Sequence, residues 1–306
     1  MAKNIISFSL WGDDPFYNVG AIRNAENASV YYEGWTCKFY IGTDVPKETV
    51  EALEKFPNTE IVIMENEAND WPGMFWRFYA ISDPDAEFVI FRDTDCRLAN
   101  REAQAVGEWT RTDKCLHIMR DHPMHTEPIM GGMWGVHGPK FMKKCADIWG
   151  TSKESLKMKD IIDGWISNEH QRTRENDPNS FKEWEYDARG IDQKFLRAFV
   201  YKLAWSDAYI HDSFPQYNQF SGRFDYRRHP GMKEMNTGFP TIRKDWNDFV
   251  GQIWDENEIA NEESSEFLKQ RDECIYMDWK KSDDEVEESE LLNQLAGVDK
   301  PVKKAT

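Results

Sequence analysis

The chain lacks paired cysteines. Its five, Cys37, Cys96, Cys115, Cys145 and Cys274, are odd in number and scattered over 306 residues, and no CxxC occurs. That distribution excludes a disulfide framework and a zinc knuckle and fits a reducing cytosol. Long apolar runs are missing too: none approaches the roughly 18–20 residues that span a bilayer. The N-terminal stretch Lys3–Leu10 is too short and too polar for a signal peptide, so a cytoplasmic location is expected. Basic side chains are in deficit, 38 Lys and Arg against 55 Asp and Glu, for a net charge of −17. Such a balance favours solubility and argues against broad binding to phosphate backbones or anionic membranes. No internal repeat is visible.

What is present can build a large core. Apolar residues make up 40% of the chain and aromatics 14%, which excludes global disorder. Most of the 13 tryptophans and 18 phenylalanines are core and surface filling, although flat rings also suit the apolar faces of sugars. Strands and helices alternate through the first half. Strands are predicted at Ile5–Leu10, Cys37–Gly42, Glu60–Met64 and Glu87–Phe91, with helices across Val19–Tyr31 and from Pro46 onward. This β-α-β-α-β order predicts an α/β fold with a mostly parallel sheet flanked by helices.

Further on, the pattern predicts a helix at Arg101–Thr110, a strand at Cys115–Met119 and a Pro- and Gly-rich segment from Asp121 to Gly138. A helix begins at Pro139, and residues 152–186 read as a helix plus a long loop. Ile191–Leu203 is a well-patterned helix, Ala208–His211 a last short strand, and residues 212–245 lack periodicity. The expected organisation is a catalytic domain over 1–250 and an acidic, partly helical or disordered extension over 251–306, with its dense run Asp283–Glu290.

The strongest chemical signal is Phe88-Val89-Ile90-Phe91-Arg92-Asp93-Thr94-Asp95. An apolar strand runs straight into two carboxylates one residue apart, and the carboxyl end of a parallel strand opens on the crevice where α/β proteins bind ligands. Two close carboxylates repel unless a cation lies between them. Hard divalent ions such as Mn²⁺ or Mg²⁺ take oxygen ligands and keep positions open for substrate phosphates. The same residues also occur as plain solvated acids in turns; the buried strand before them favours the metal. His211, at the end of the last predicted strand, is a further candidate ligand, although a lone histidine is usually structural. Asp192 and Gln193 open the well-patterned helix, either as a cap or aimed at donor-sugar hydroxyls and the reacting carbon.

A titratable run, His117-Ile118-Met119-Arg120-Asp121-His122-Pro123-Met124-His125, leads into Gly131-Gly132-Met133-Trp134-Gly135. Paired glycines allow close backbone approach to a ligand, and Trp134 offers a ring for a sugar. Zinc at His122 and His125 is disfavoured because no further ligand has matching spacing. Arg223, Arg227, Arg228, His229 and Lys233 form a basic cluster suited to a diphosphate or an acidic acceptor.

Taken together, Ser7-Phe8-Ser9-Leu10-Trp11-Gly12 with Tyr17 and Gly20-Ala21, Phe75-Trp76-Arg77-Phe78, and Arg92-Asp93-Thr94-Asp95-Cys96-Arg97-Leu98 with Arg101-Glu102 resemble a bacterial and phage group of GT-A glycosyltransferases. The resemblance spans about residues 3–215 and includes the His117–His122 and Gly131–Gly135 runs. More distantly, the DxD, a later Asp-Gln pair and a late His resemble retaining family-8 glycosyltransferases. In place of that family's Gly-Lys-Pro-Trp-like sequence, Asp212-Ser213-Phe214-Pro215 follows the late His here. The resemblance implies a metal on Asp93, Asp95 and His211 and a donor-sugar role for Asp192. It also implies that Trp11 and Gly12 line a nucleotide-base pocket and that Arg77 reaches the donor; Leu10, Thr94 and Arg223 are further donor-side candidates. Arg120, Asp121, His122, Gly131, Gly132 and Trp134 stand as acceptor-side candidates.

The function expected from this reading is sugar transfer from a nucleoside-diphosphate sugar, UDP-linked, to a hydroxyl on a glycan, with Mn²⁺ or Mg²⁺ as cofactor. In an inverting reaction Asp192, Asp121 or His122 takes the acceptor proton; in a retaining one, slightly favoured, Asp192 or Gln193 steadies an oxocarbenium-like centre. Transfer to hydroxylated bases in DNA is a second expectation, disfavoured by charge. A non-catalytic carbohydrate-binding protein is a third. A haloacid-dehalogenase phosphatase also puts DxD after a strand but needs a second acidic pair that is not suitably spaced here.

Overall fold

The computed structural model describes residues 2–65, 71–125, 127–176, 190–214 and 236–270. Two compact units divide the chain, Met1–Asn261 and Glu262–Thr306. The described part of the second is a helical run over 262–270. Residues 251–261, which the sequence reading grouped with the acidic extension, lie in the first unit.

That unit is built on one sheet. Strands β1 (Lys3–Leu10), β2 (Trp35–Gly42), β3 (Thr59–Met64) and β4 (Ala86–Phe91) alternate with helices α1 (Pro15–Tyr31) and α2 (Lys47–Leu53) and the 3-10 helix Trp71–Ser82. After them come α3 (Asn100–Thr110), β5 (Leu116–Arg120), β6 (Trp134–His137), α4 (Gly138–Trp149) and α5 (Met158–Asn176). A last helix runs through α6 (Ile191–Phe195), the π-helical turn Leu196–Val200 and α7 (Tyr201–Ala204), before β7 (Ala208–Asp212) and β8 (Asn236–Thr237). The strand order is β3-β2-β1-β4-β6-β5-β7-β8. Every pairing is parallel except the two made by β6, which runs against β4 and β5. The expected α/β architecture, a mostly parallel sheet flanked by helices, is the one observed.

Period-two alternation sends neighbouring side chains of a strand to opposite layers. On β4, Val89 and Phe91 enter one core with Phe75, Phe78, Trp134, Phe141 and Phe195. Phe88 and Ile90 enter the other, with Phe8, Phe39, Leu53, Val106 and Trp109. Burying a side chain of this size stabilises the fold by about 1.5–3 kcal/mol. Both faces of β4 are therefore apolar, which is why it reads as a near-continuous hydrophobic run.

Two serines interrupt β1. Ser7 and Ser9 are buried, and they grip the backbone of one residue of the 3-10 helix. Ser7 Oγ donates to Arg77 O at 2.7 Å, and Arg77 N–H donates to Ser9 Oγ at 3.0 Å. Helix α1 starts where Asp14 accepts from Phe16 N–H, with Pro15 at the first helical position. It then packs on the loop after β4 at Gly20, where any Cβ would collide with Thr94 O. No helix among the described residues is long and apolar enough to cross a membrane.

Candidate functional site

The carboxyl ends of β1 and β4 face a cleft of about 410 Å³. It is lined by Leu10, Trp11, Gly12, Tyr17, Met74 and Arg77 on one side and by Asp93, Thr94 and Asp95 on the other. The buried strand β4 ends at Phe91, so Asp93 and Asp95 project from a fixed base. Behind them α1 supplies the scaffold. Asn24 Nδ2 donates to Cys96 O at 2.8 Å, Leu98 N–H donates to Asn24 Oδ1 at 2.9 Å, and Asn27 Nδ2 donates to Leu98 O at 3.1 Å. From the other end of the chain, Cys96 pairs with Ile253 in an antiparallel bridge and Trp254 N–H donates to Asp95 O at 2.9 Å.

Asp93, Asp95 and Cys96 bring one ligand atom each to within 4.8 Å of one another. The Cys96 thiol donates to Asp95 Oδ1 at 3.5 Å. Burial first, and then the neighbouring Asp93 charge, push the Asp95 carboxyl up to about 6. Two acids held this close, one of them hard to ionise, form a cation-hungry pair.

Arg77 is the basic side chain among the lining residues. Its guanidinium, only 4% exposed, donates to Asp93 Oδ1 and, at 3.0 Å, to Asp192 Oδ2. Asp192 therefore does not cap its helix: its partner lies 115 residues away. One oxygen, Oδ1, has no hydrogen-bond partner among the described residues. Burial chiefly, and then Asp93, raise the Asp192 carboxyl, with Arg77 opposing them. Gln193 is committed to backbone: its Oε1 accepts from Gly131 N–H at 3.1 Å and its Nε2 donates to Ile129 O. The two glycines permit this arrangement, because a Cβ at Gly131 would meet Arg77 and Asp192, and one at Gly132 would collide with the Asp93 carboxylate.

The remaining sequence candidates lie elsewhere. His211 does not join the Asp93–Asp95 pair. It is fully buried, its Nδ1 lying 2.9 Å from His117 Nε2 and its Nε2 3.1 Å from Glu108 Oε2. Burial lowers its pKa, and that of His117 much further. Trp134 turns no face to a ligand: its ring packs on Phe91 and Phe78, and its indole N–H donates to Gly131 O. Arg120 is fully buried and pairs with Asp212 at 2.9 Å. Asp121 accepts from Arg101, Ser213 and Arg243 side chains and from Val250 N–H. Burial alone would raise its carboxyl, but the Arg101 hydrogen bond and the Arg243 charge hold it below the usual range. His122 and His125 are buried beside Phe249, each Nδ1 accepting a backbone N–H. Among the described residues no group of three metal-ligand side chains forms there. Arg223 and the rest of its basic cluster lie outside the described residues.

The arginines around the acids are mostly occupied by other partners. Arg92 pairs with Glu102 at 3.0 Å, Arg97 with Glu258 at 3.0 Å, and Arg101 with Asp121 at 2.6 Å. Sequence reasoning missed Ser7, Ser9, Asn24 and Cys96. The visible signal was polar side chains set into buried runs: serines in a core strand and asparagines on the inner face of α1.

No protein-family model matches the chain, and no curated protein matches it. Solved structures similar to it include the glycosyltransferase GlyE of Streptococcus pneumoniae TIGR4, at 12% identity over 71% of this chain and 47% of that one, TM-score 0.38. The galactosyltransferase LgtC, in complex with donor and acceptor sugar analogues, matches at 11% identity over 53% of this chain and 70% of that one, TM-score 0.29. The 4-diphosphocytidyl-2C-methyl-D-erythritol synthase of Anaerococcus prevotii matches at 12% identity over 49% and 78%, TM-score 0.33.

Proposed function

We infer that the chain is a GT-A glycosyltransferase that moves a sugar from a nucleoside-diphosphate sugar, UDP-linked, to a hydroxyl on a glycan. The observation that carries this reading is the convergence of Asp93, Asp95 and Arg77 in one cleft, with the buried Asp192 paired to Arg77 behind that lining. A divalent cation, Mn²⁺ or Mg²⁺, bound by the two acids would neutralise the charge that builds on a departing diphosphate.

The chain's own residues divide the remaining work. Trp11 and Tyr17 offer flat surfaces to a nucleotide base at the cleft mouth. Arg77 ties Asp93 to Asp192 and so fixes the distance between the diphosphate corner and the sugar corner. Gln193 and the glycine pair keep the chain close enough for that tie to form. Asp192, buried and with one oxygen unpartnered among the described residues, would steady the developing positive charge of an oxocarbenium-like centre. A retaining outcome is accordingly favoured over an inverting one.

Hydrolysis of a panel of UDP- and GDP-sugars with Mn²⁺ tests the reading. The expected result is turnover of one donor that needs the cation and is lost in Asp93→Ala and Asp95→Ala. Full metal-stimulated hydrolysis by either variant would overturn the assignment. Product stereochemistry by NMR decides between retention and inversion, and a low-salt gel shift checks the DNA acceptor.

A further inference from the structure

Among the described residues the charges at the Asp93 corner do not balance. Three carboxylates, Asp93, Asp95 and Asp192, share the single guanidinium of Arg77. Asp192 is 2% exposed and one of its oxygens has no partner among the described residues, so the deficit of positive charge extends behind the cleft lining. A buried carboxylate oxygen left unpaired costs free energy unless a cation or donor arrives. The third ligand atom at this corner is not oxygen. It is Cys96 Sγ, within 4.8 Å of the ligand atoms of both acids. The other cysteines among the described residues, Cys37, Cys115 and Cys145, are buried in the apolar core. Cys96 instead sits in a charged turn, its backbone fastened by Asn24 on one side and Ile253 on the other.

We propose that Cys96 is a third ligand of the cation held by Asp93 and Asp95, giving a mixed oxygen–sulfur site that favours Co²⁺, Zn²⁺ or Cd²⁺ over Mg²⁺ and Ca²⁺. This rests on the metal reading above and narrows it. Carboxylates alone suit hard ions; adding a thiolate shifts the preference to softer ones. Without the metal the thiol is a donor, to Asp95 Oδ1 at 3.5 Å, and so carries a proton. Ligation forms the metal–sulfur bond and releases that one proton to solvent, with no change in oxidation state.

The experiment uses the purified full chain and titrates Cd²⁺, Mn²⁺ and Mg²⁺ alone, with no sugar nucleotide. Cd²⁺ should produce a thiolate-to-metal charge-transfer band, release one proton and slow alkylation of Cys96 as read by site-resolved mass spectrometry. In Cys96→Ser and Cys96→Ala the band should vanish and Cd²⁺ affinity fall at least about tenfold, while Mn²⁺ still binds. In Asp93→Asn every cation should bind weakly. Cd²⁺ binding with no band and unchanged affinity in Cys96→Ser would overturn the thiolate ligand and leave the Asp93–Asp95 reading standing. No binding of any cation by the native chain would overturn both. Circular dichroism on each variant separates lost ligation from lost folding.

Discussion

Two stretches of the sheet's carboxyl edge carry similar residues and treat them in opposite ways. At the ends of β1 and β4, acids outnumber their partners and border open space. At the ends of β5 and β7, Arg120 faces Asp212 in register, and Asp121 is enclosed by Arg101, Arg243 and Ser213. Composition does not separate the two regions. Pairing does: where each charge has a partner the cluster is scaffold, and where one sign is left over it is a site. The scaffold also pins distant chain, because Asp121 accepts from Arg243 and Val250.

Removing an acid should therefore have opposite effects on the two sides. The largest change is expected for Asp121→Ala, which strands buried Arg101 and takes a partner from half-buried Arg243, and should cost about 3–5 kcal/mol in chemical denaturation. A loss under about 1 kcal/mol would mean that the network is incidental. Its pH dependence follows from sign. The folded carboxyl lies below its unfolded value of about 3.9, so its stabilisation is complete above that pH and is lost as pH falls through the folded value. The native chain should lose stability on that acid limb, and Asp121→Asn should flatten it.

Next in size is Gly132→Ala, whose methyl would push the Asp93 carboxylate aside. Mn²⁺ affinity should drop roughly tenfold with little change in melting temperature. In contrast, Asp95→Asn should stabilise the metal-free chain by on the order of 1 kcal/mol, because it removes a crowded like charge. The sign is again fixed. Asp95 titrates at about 6, above its unfolded value, so it destabilises the fold when ionised; the gain in Asp95→Asn should shrink as pH falls below 6. Thermal melts at pH 7.5 and pH 5, in chelator, read this directly. The smallest effect is expected for Glu108→Ala, which leaves His211 Nε2 without that partner and should cost about 1 kcal/mol.

The parts of the fold legible from sequence were those whose signal is local. The apolar run Phe88–Phe91 followed by two acids marked both a central strand and the site at its tip. Strand β6 was not legible, since Gly131-Gly132-Met133-Trp134-Gly135 reads as loop and its antiparallel pairing with β4 is made across distant sequence. Nor was the 3-10 helix Trp71–Ser82, whose aromatics occupy every side and leave no period. Asp121 and His122 looked reactive because sequence shows titratable density but not the arginine that arrives 122 residues later. Cys96 passed unnoticed for the opposite reason, a lone thiol having no spacing to read.

The measurement that bears most directly on the central claim is Mn²⁺ binding followed by electron paramagnetic resonance, with and without UDP, in the native chain and in Asp95→Asn. The native chain should bind one ion that UDP tightens, and Asp95→Asn should bind it at least about a hundredfold more weakly, a change of roughly 2.7 kcal/mol. Equal binding by the two proteins, or none by the native chain in the presence of UDP, would contradict the account.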